Sequence, residues 1–151
     1  MSHDIKQLKP SKSGRYQQGY INPASCKKLF ESLKNDKIIY RSSYEKSFIY
    51  WLEQNQNVEG WGSECLGIPY YNPLDKLNHT YYPDYVVKMK DGTMMIIEIK
   101  PHNQTVRPAT RNGYAWNEWV KNMCKWAAAK KYCEARGILF KILTEKTISK
   151  L

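Results

Sequence analysis

Histidine is scarce in this chain, and its cysteines are few and badly spaced for metal binding. There are three histidines and four cysteines, Cys26, Cys65, Cys124 and Cys133, in 151 residues. No cysteine pair has the C-x2–4-C spacing of a zinc finger or ribbon, which excludes that class of site. The cysteines read as reduced, mostly buried and structural. No apolar run approaches the length of a membrane-spanning helix, and nothing resembles a signal peptide. The expectation is a soluble intracellular protein with no membrane partner. Acids are also in short supply, 14 against 24 Lys and Arg, for a net charge of +10.

What is present is unevenly placed. Residues 1–41 hold nine basic residues against three acids, and residues 100–151 hold eleven against three. Between them, residues 42–99 hold eight acids against four bases. Basic ends suit a polyanion such as DNA, or a solvated surface kept for solubility. An acidic middle within such a chain needs a separate reason, and a divalent cation supplies one. Aromatic residues are plentiful, with twelve Tyr and five Trp, enough to fill a core and still offer half-polar faces at the surface. The length suits one compact domain.

Residues 1–21 are polar and basic, with Lys6, Lys9, Lys12 and Arg15 and no helical or strand periodicity. They read as an arm ahead of a single domain spanning residues 22–151. Asn22-Pro23 has the signature of a helix start, with Leu29 and Leu33 as its buried stripe. Ser42 caps a second helix in which Tyr44, Phe48, Trp51 and Leu52 share a face and which ends near Asn55–Asn57. Strand-like segments follow at 58–66, at 80–89 and at 93–100. Asp91-Gly92 marks a hairpin between the last two. Residues 101–112 form a polar loop. A long helix then runs from about Tyr114 to Arg136, with Trp116, Val120, Met123 and Ala127 as its apolar stripe. Gly137 stops it, and a last strand covers 138–143.

The chemistry concentrates at Tyr82-Pro83-Asp84 and Glu98-Ile99-Lys100. Glu98 and Lys100 lie two apart on a strand and face the same way, while Ile97 and Ile99 face the core. A two-residue turn at Asp91-Gly92 would set Asp84 opposite Ile99, on the wrong face. A three-residue loop, Lys90-Asp91-Gly92, pairs Met89 with Thr93 and sets Asp84 opposite Glu98. A left-handed Gly92 in a bulge makes that loop, and this second register is the expectation, because only it joins the two carboxylates. Asp84 and Glu98 would then hold Mg²⁺, with the backbone carbonyl of Ile99 as a third ligand. Lys100 would orient or deprotonate water, or stabilise the transition state. Such a cluster suits phosphodiester hydrolysis.

Other candidates have two readings each. Ser42-Ser43-Tyr44-Glu45 is a capping box, and the same Glu45 could reach a metal from the helix's first turn. Arg41, His102, Gln104, Arg107 and Arg111 are phosphate contacts or ordinary polar loop residues. Lys121, Lys125, Lys130 and Lys131 are a DNA-facing track or a solvated face. His79 reads as a hydrogen-bonding loop residue and Trp61 as core; Glu64 is a further acid that could reach the metal.

A glutamate on an early helix, then Pro83-Asp84, then Glu98-Ile99-Lys100 one hairpin later resembles the PD-(D/E)XK nuclease superfamily. The stretch from Asn78 to Tyr85 is similar to phage Holliday-junction resolvases. The run from Pro83 to Pro101, with the later Gly137 to Glu145, is similar to TnsA-type transposon-end nucleases. Lys12 to Gly19, Tyr40 to Glu45, Trp61-Gly62-Ser63-Glu64 and Lys100 to Thr105 resemble head completion proteins of tailed phages. These resemblances imply an α/β, restriction-endonuclease-like core with a central mixed β-sheet flanked by helices. They imply a deoxyribonuclease, acting as endonuclease, exonuclease or both, with Mg²⁺ as cofactor and Mn²⁺ able to substitute. The implied catalytic residues are Glu45, Asp84, Glu98 and Lys100, with Glu45 also a metal ligand and Arg15 among the DNA contacts. The implied partners are DNA and phage head or neck proteins, in the host cytoplasm or the virion. A non-catalytic DNA-binding virion protein and a dimeric resolvase are the alternatives.

Overall fold

The computed structural model describes residues 19–30 and 38–151. Its centre is a four-stranded mixed sheet. Strands β3 (Val58–Ser63), β6 (Tyr85–Met89), β7 (Met94–Ile99) and β8 (Leu139–Leu143) lie in the order β3-β6-β7-β8. The first three pair antiparallel, and β8 runs parallel to β7. Helix α1 (Ser43–Gln54) packs on one face and α2 (Gly113–Arg136) on the other. The α/β class with a central mixed sheet between helices is as the sequence implies.

Alternation along β7 divides the core in two. Ile97 joins Phe48, Leu52, Trp61 and Tyr85 on the α1 side, with Ile99 packed against that cluster. Ile96 joins Trp126, Ala129, Tyr70 and Tyr81 on the α2 side. Helix α1 has the anticipated cap, with Glu45 N–H donating to Ser42 Oγ at 3.2 Å. Helix α2 ends at Gly137, whose φ of +68° is the left-handed cap that glycine takes without penalty.

The chain departs from the sequence reading in several places. The expected first helix is a single 3-10 turn, Pro23–Ser25, capped by Asn22. After it the backbone extends beside β3: Leu29 bridges Trp61, and Phe30 N–H donates to the Trp61 carbonyl at 2.8 Å. Glu53 fixes this path, accepting from the Lys27 and Lys28 amides and from the Trp61 indole. Helical hydrogen bonds lose here to bonds across a sheet edge, a competition local periodicity does not register. Leu33 and residues 1–18, Arg15 included, lie outside the described residues. The end of the expected arm is ordered: Gly19–Ile21 form β1, paired with β2 (Ile38–Tyr40).

The strand expected over 80–89 is two strands, because Pro83 has no N–H to offer a ladder. Its first part belongs to a separate hairpin, β4 (Ile68–Asn72) with β5 (Leu77–Tyr81). The stripe expected on α2 is rotated. Asn122, Trp126, Ala129 and Cys133 are its buried residues, while Ala127 is exposed and Trp116, Val120 and Met123 are half-buried. The β4–β5 hairpin causes this, since α2 packs on the hairpin as well as on β8. A short α3 (Glu145–Ile148) follows β8.

Candidate active site

The β6–β7 hairpin closes through three residues. Met89 N–H donates to the Thr93 carbonyl at 2.8 Å, and Gly92, at φ +94°, returns its N–H to the Met89 carbonyl. Tyr85 therefore faces Ile97, and the next pair along is Asp84 with Glu98. The register expected from the sequence is the one observed. Beyond the ladder's end, Asp84 Oδ2 accepts the Ile99 N–H at 2.7 Å. That bond fixes the aspartate carboxylate against β7 at the residue between Glu98 and Lys100.

Glu98 is buried and held from two sides. The Tyr81 hydroxyl donates to its Oε1 at 2.7 Å, and Lys100 Nζ lies 3.8 Å from its Oε2. Glu45, also buried, accepts the Arg41 N–H at 3.1 Å. It does more than cap its helix, because its charge reaches the other acids. Burial, then repulsion from Glu64 and Glu98, pushes its carboxyl up to about 7 against backbone donation from Arg41. Asp84 stands well above the ordinary range because of burial, then the charges of Glu98 and Glu45. Glu98 is raised by burial, with Lys100 and Tyr81 opposing.

A fourth carboxylate belongs here. Glu64 is buried, sits at φ +49°, and pairs through Oε1 with Arg41 Nε at 3.3 Å. Its Oε2 and Arg41 Nη2 are buried without hydrogen-bond partners. A non-glycine residue in the left-handed region costs about 1 kcal/mol or more and is held there by its surroundings. Here the hold is the Glu64 N–H, which donates to the Asp84 carbonyl at 3.0 Å. Burial raises the Glu64 carboxyl against the Arg41 charge.

These four acids repel one another in a poorly hydrated place, a donor set that suits a hard cation with oxygen ligands. They are brought into one site without closing on a single point: among the described residues no three His, Cys, Asp or Glu side chains form a ready cage.

The other candidates are dispersed. Arg41 faces inward to Glu64. His102 donates its N–H to Glu145 and is exposed, as are Gln104 and Arg111. Arg107 lies over the Trp116 and Trp119 rings at 5.3 and 5.9 Å. Lys121 pairs with Glu118 at 2.7 Å, and Lys125 lies over the Tyr70 and Tyr81 rings. Lys130 and Lys131 are exposed. Trp61 is core, and His79 bonds Asp75 from a strand rather than a loop. Sequence reasoning missed Tyr81, whose hydroxyl arrives from a hairpin that no local signal connects to Glu98.

A mixed sheet with Pro-Asp facing Glu-x-Lys across one hairpin, and a helix glutamate beside them, defines a nuclease core of the restriction-endonuclease-like class. The chain belongs to the PD-(D/E)XK-like family of TnsA-like endonuclease N-terminal domains, which matches residues 55–145. Asp84, Glu98 and Lys100 lie within that stretch; Glu45 precedes it. The chain is also 41% identical over 119 residues to the head completion nuclease of Enterobacteria phage T4, a match covering 72% of this chain and 79% of that protein. Both likenesses support a nuclease role.

Proposed function

We propose that this protein is a divalent-cation-dependent deoxyribonuclease whose catalytic residues are Glu45, Asp84, Glu98 and Lys100. The observation behind this reading is the hairpin register, which puts Asp84 and Glu98 side by side, with Lys100 one residue past the end of β7. Asp84, Glu98 and the Ile99 carbonyl would hold Mg²⁺ or Mn²⁺, with Glu45 as a further ligand. Bound there, the cation supplies Lewis acidity and positive charge at the scissile phosphate. Lys100 places an ammonium where charge develops on the phosphate and can orient the attacking water. Tyr81 keeps Glu98 oriented by its hydrogen bond. The relative's name, head completion nuclease, supports the setting of this reading; on it the chain would process packaged phage DNA during head completion and head–tail joining, with head or neck proteins as partners. Residues such as His102, Gln104, Arg107 and Arg111 would meet the DNA backbone.

The test is cleavage of linear, circular and branched DNA with Mg²⁺, with Mn²⁺ and with EDTA. The expected result is cutting that needs the cation and falls at least about a thousandfold in Asp84→Ala. Undiminished cutting by Asp84→Ala, or tight DNA binding with no cutting under any condition, would overturn the assignment. The second outcome would leave a non-catalytic DNA-binding protein.

A further inference from the structure

The β4–β5 hairpin and α2 enclose a cleft of about 520 Å³ whose residues the proposed catalysis does not use. Its size falls among small-ligand sites of roughly 300–1,000 Å³, the scale of a nucleotide and not of a duplex. Along α2 it runs from Asn117 to Lys125, about 12 Å at helical rise. Its inner end adjoins the active site. Lys125 lies 5.6 Å from the centre of the Tyr81 ring, and the hydroxyl of that ring donates to Glu98.

The lining has the chemistry of a single nucleic-acid strand. Lys125 is half-buried and packs over Tyr70 and Tyr81, yet it has no carboxylate within ion-pair distance among the described residues. Burial, with Lys121 and Lys100 nearby, disfavours its charge, so an anion beside it would relieve that cost. The two acids of the cleft are already engaged: Asp75 with His79, and Glu118 with Lys121, both at 2.7 Å. His79 stacks on Tyr70 with ring centres 5.5 Å apart. Tyr70 is buried, and His79, partly open, lines the cleft with its imidazole.

We propose that this cleft receives an unpaired DNA strand beside the scissile phosphate, with Lys125 on a backbone phosphate and His79 stacked against a base. The proposal rests on the nuclease reading and names its substrate class, DNA whose strand is free at the cut: an overhang, a flap or a frayed end. Stacking platforms with adjacent cations are the usual device for holding single strands without sequence preference.

The test is binding, measured by fluorescence anisotropy in EDTA so that no cleavage occurs. The probes are a single-stranded oligonucleotide, a duplex with an overhang and a blunt duplex. The wild-type chain should bind the first two more tightly than the third. Lys125→Ala should weaken binding to single-stranded and overhang DNA about tenfold and make the salt dependence shallower by about 0.7, one phosphate contact on a single strand. Lys125→Arg should restore most of it. His79→Ala, at a partly exposed position, should weaken the same two probes severalfold. Blunt duplex should respond to none of these changes. Equal losses on all three probes, or none, would overturn the proposal. Because the readout is binding, a protein that cuts nothing could still pass, so failure here and failure of the nuclease reading are separable.

Discussion

At the residue scale the site is a problem in charge. An ordinary buried carboxylate in an ion pair has a lowered pKa and stabilises the fold as pH rises. Glu45 runs the other way: its folded value is about 7 against 4.5 for the free group, through burial first and then the charge of Glu64. The folded state therefore binds the proton more tightly than the unfolded chain. The associated stability is complete below about pH 4.5 and is lost as pH rises through about 7. Asp84, Glu98 and Glu64 are shifted in the same direction. In EDTA the protein should melt at lower temperature at about pH 8 than at about pH 5.5, with Glu45 alone contributing about 2 kcal/mol over that range. Added Mg²⁺ should recover the loss at the higher pH. Calorimetric melting across that range checks both, and a metal-free protein that gains stability toward pH 8 would contradict the sign.

At the element scale, one loop, one proline and one hairpin decide the geometry. The Lys90-Asp91-Gly92 loop sets the register of β6 on β7, and Gly92 permits it with its positive φ. Pro83 ends the ladder just before Asp84, freeing the aspartate to accept from Ile99 instead of continuing a strand. The β4–β5 hairpin supplies Tyr81. Replacing Tyr81 with Phe removes one hydrogen bond to a buried carboxylate and little volume. The expected cost is about 1–2 kcal/mol of stability and roughly tenfold weaker Mn²⁺ binding. Titration calorimetry with Mn²⁺ and urea unfolding measure the two separately. An unchanged Mn²⁺ affinity would mean that Glu98 needs no orientation from Tyr81.

At the scale of the whole molecule, the net charge of +10 serves DNA binding only if it makes phosphate contacts. Residues 1–18 carry Lys6, Lys9, Lys12 and Arg15 against Asp4. Deleting them should make the plot of log affinity against log salt shallower by about two to three, while short-substrate cleavage at low salt stays near wild type. An unchanged slope would assign the arm to some other task. Among the described residues no helix is long and apolar enough to cross a membrane.

Much of the site was legible because it follows from period and spacing. Glu98 and Lys100 share a face by strand alternation, the Asp91-Gly92 turn announces a hairpin, and only one loop length unites Asp84 with Glu98. The cap at Ser42 and the end of α2 at Gly137 were legible for the same reason, each being set by neighbours in sequence; the mixed sheet, which joins Leu139 on β8 to Met95 on β7, was implied only by the family resemblance. What the tertiary structure decided is everything bought with long-range contacts. Residues 26–30 abandon a helix because Glu53 and β3 offer their amides better partners. Helix α2 turns its buried face toward Trp126 because a second hairpin packs on it. Tyr81 reaches Glu98, and Glu64 is held left-handed beside Arg41, only once strands far apart in sequence are stacked. Local propensity records the energy of near neighbours, and these residues are placed by groups 15 or more positions away, such as Tyr81 by Glu98 at a separation of 17.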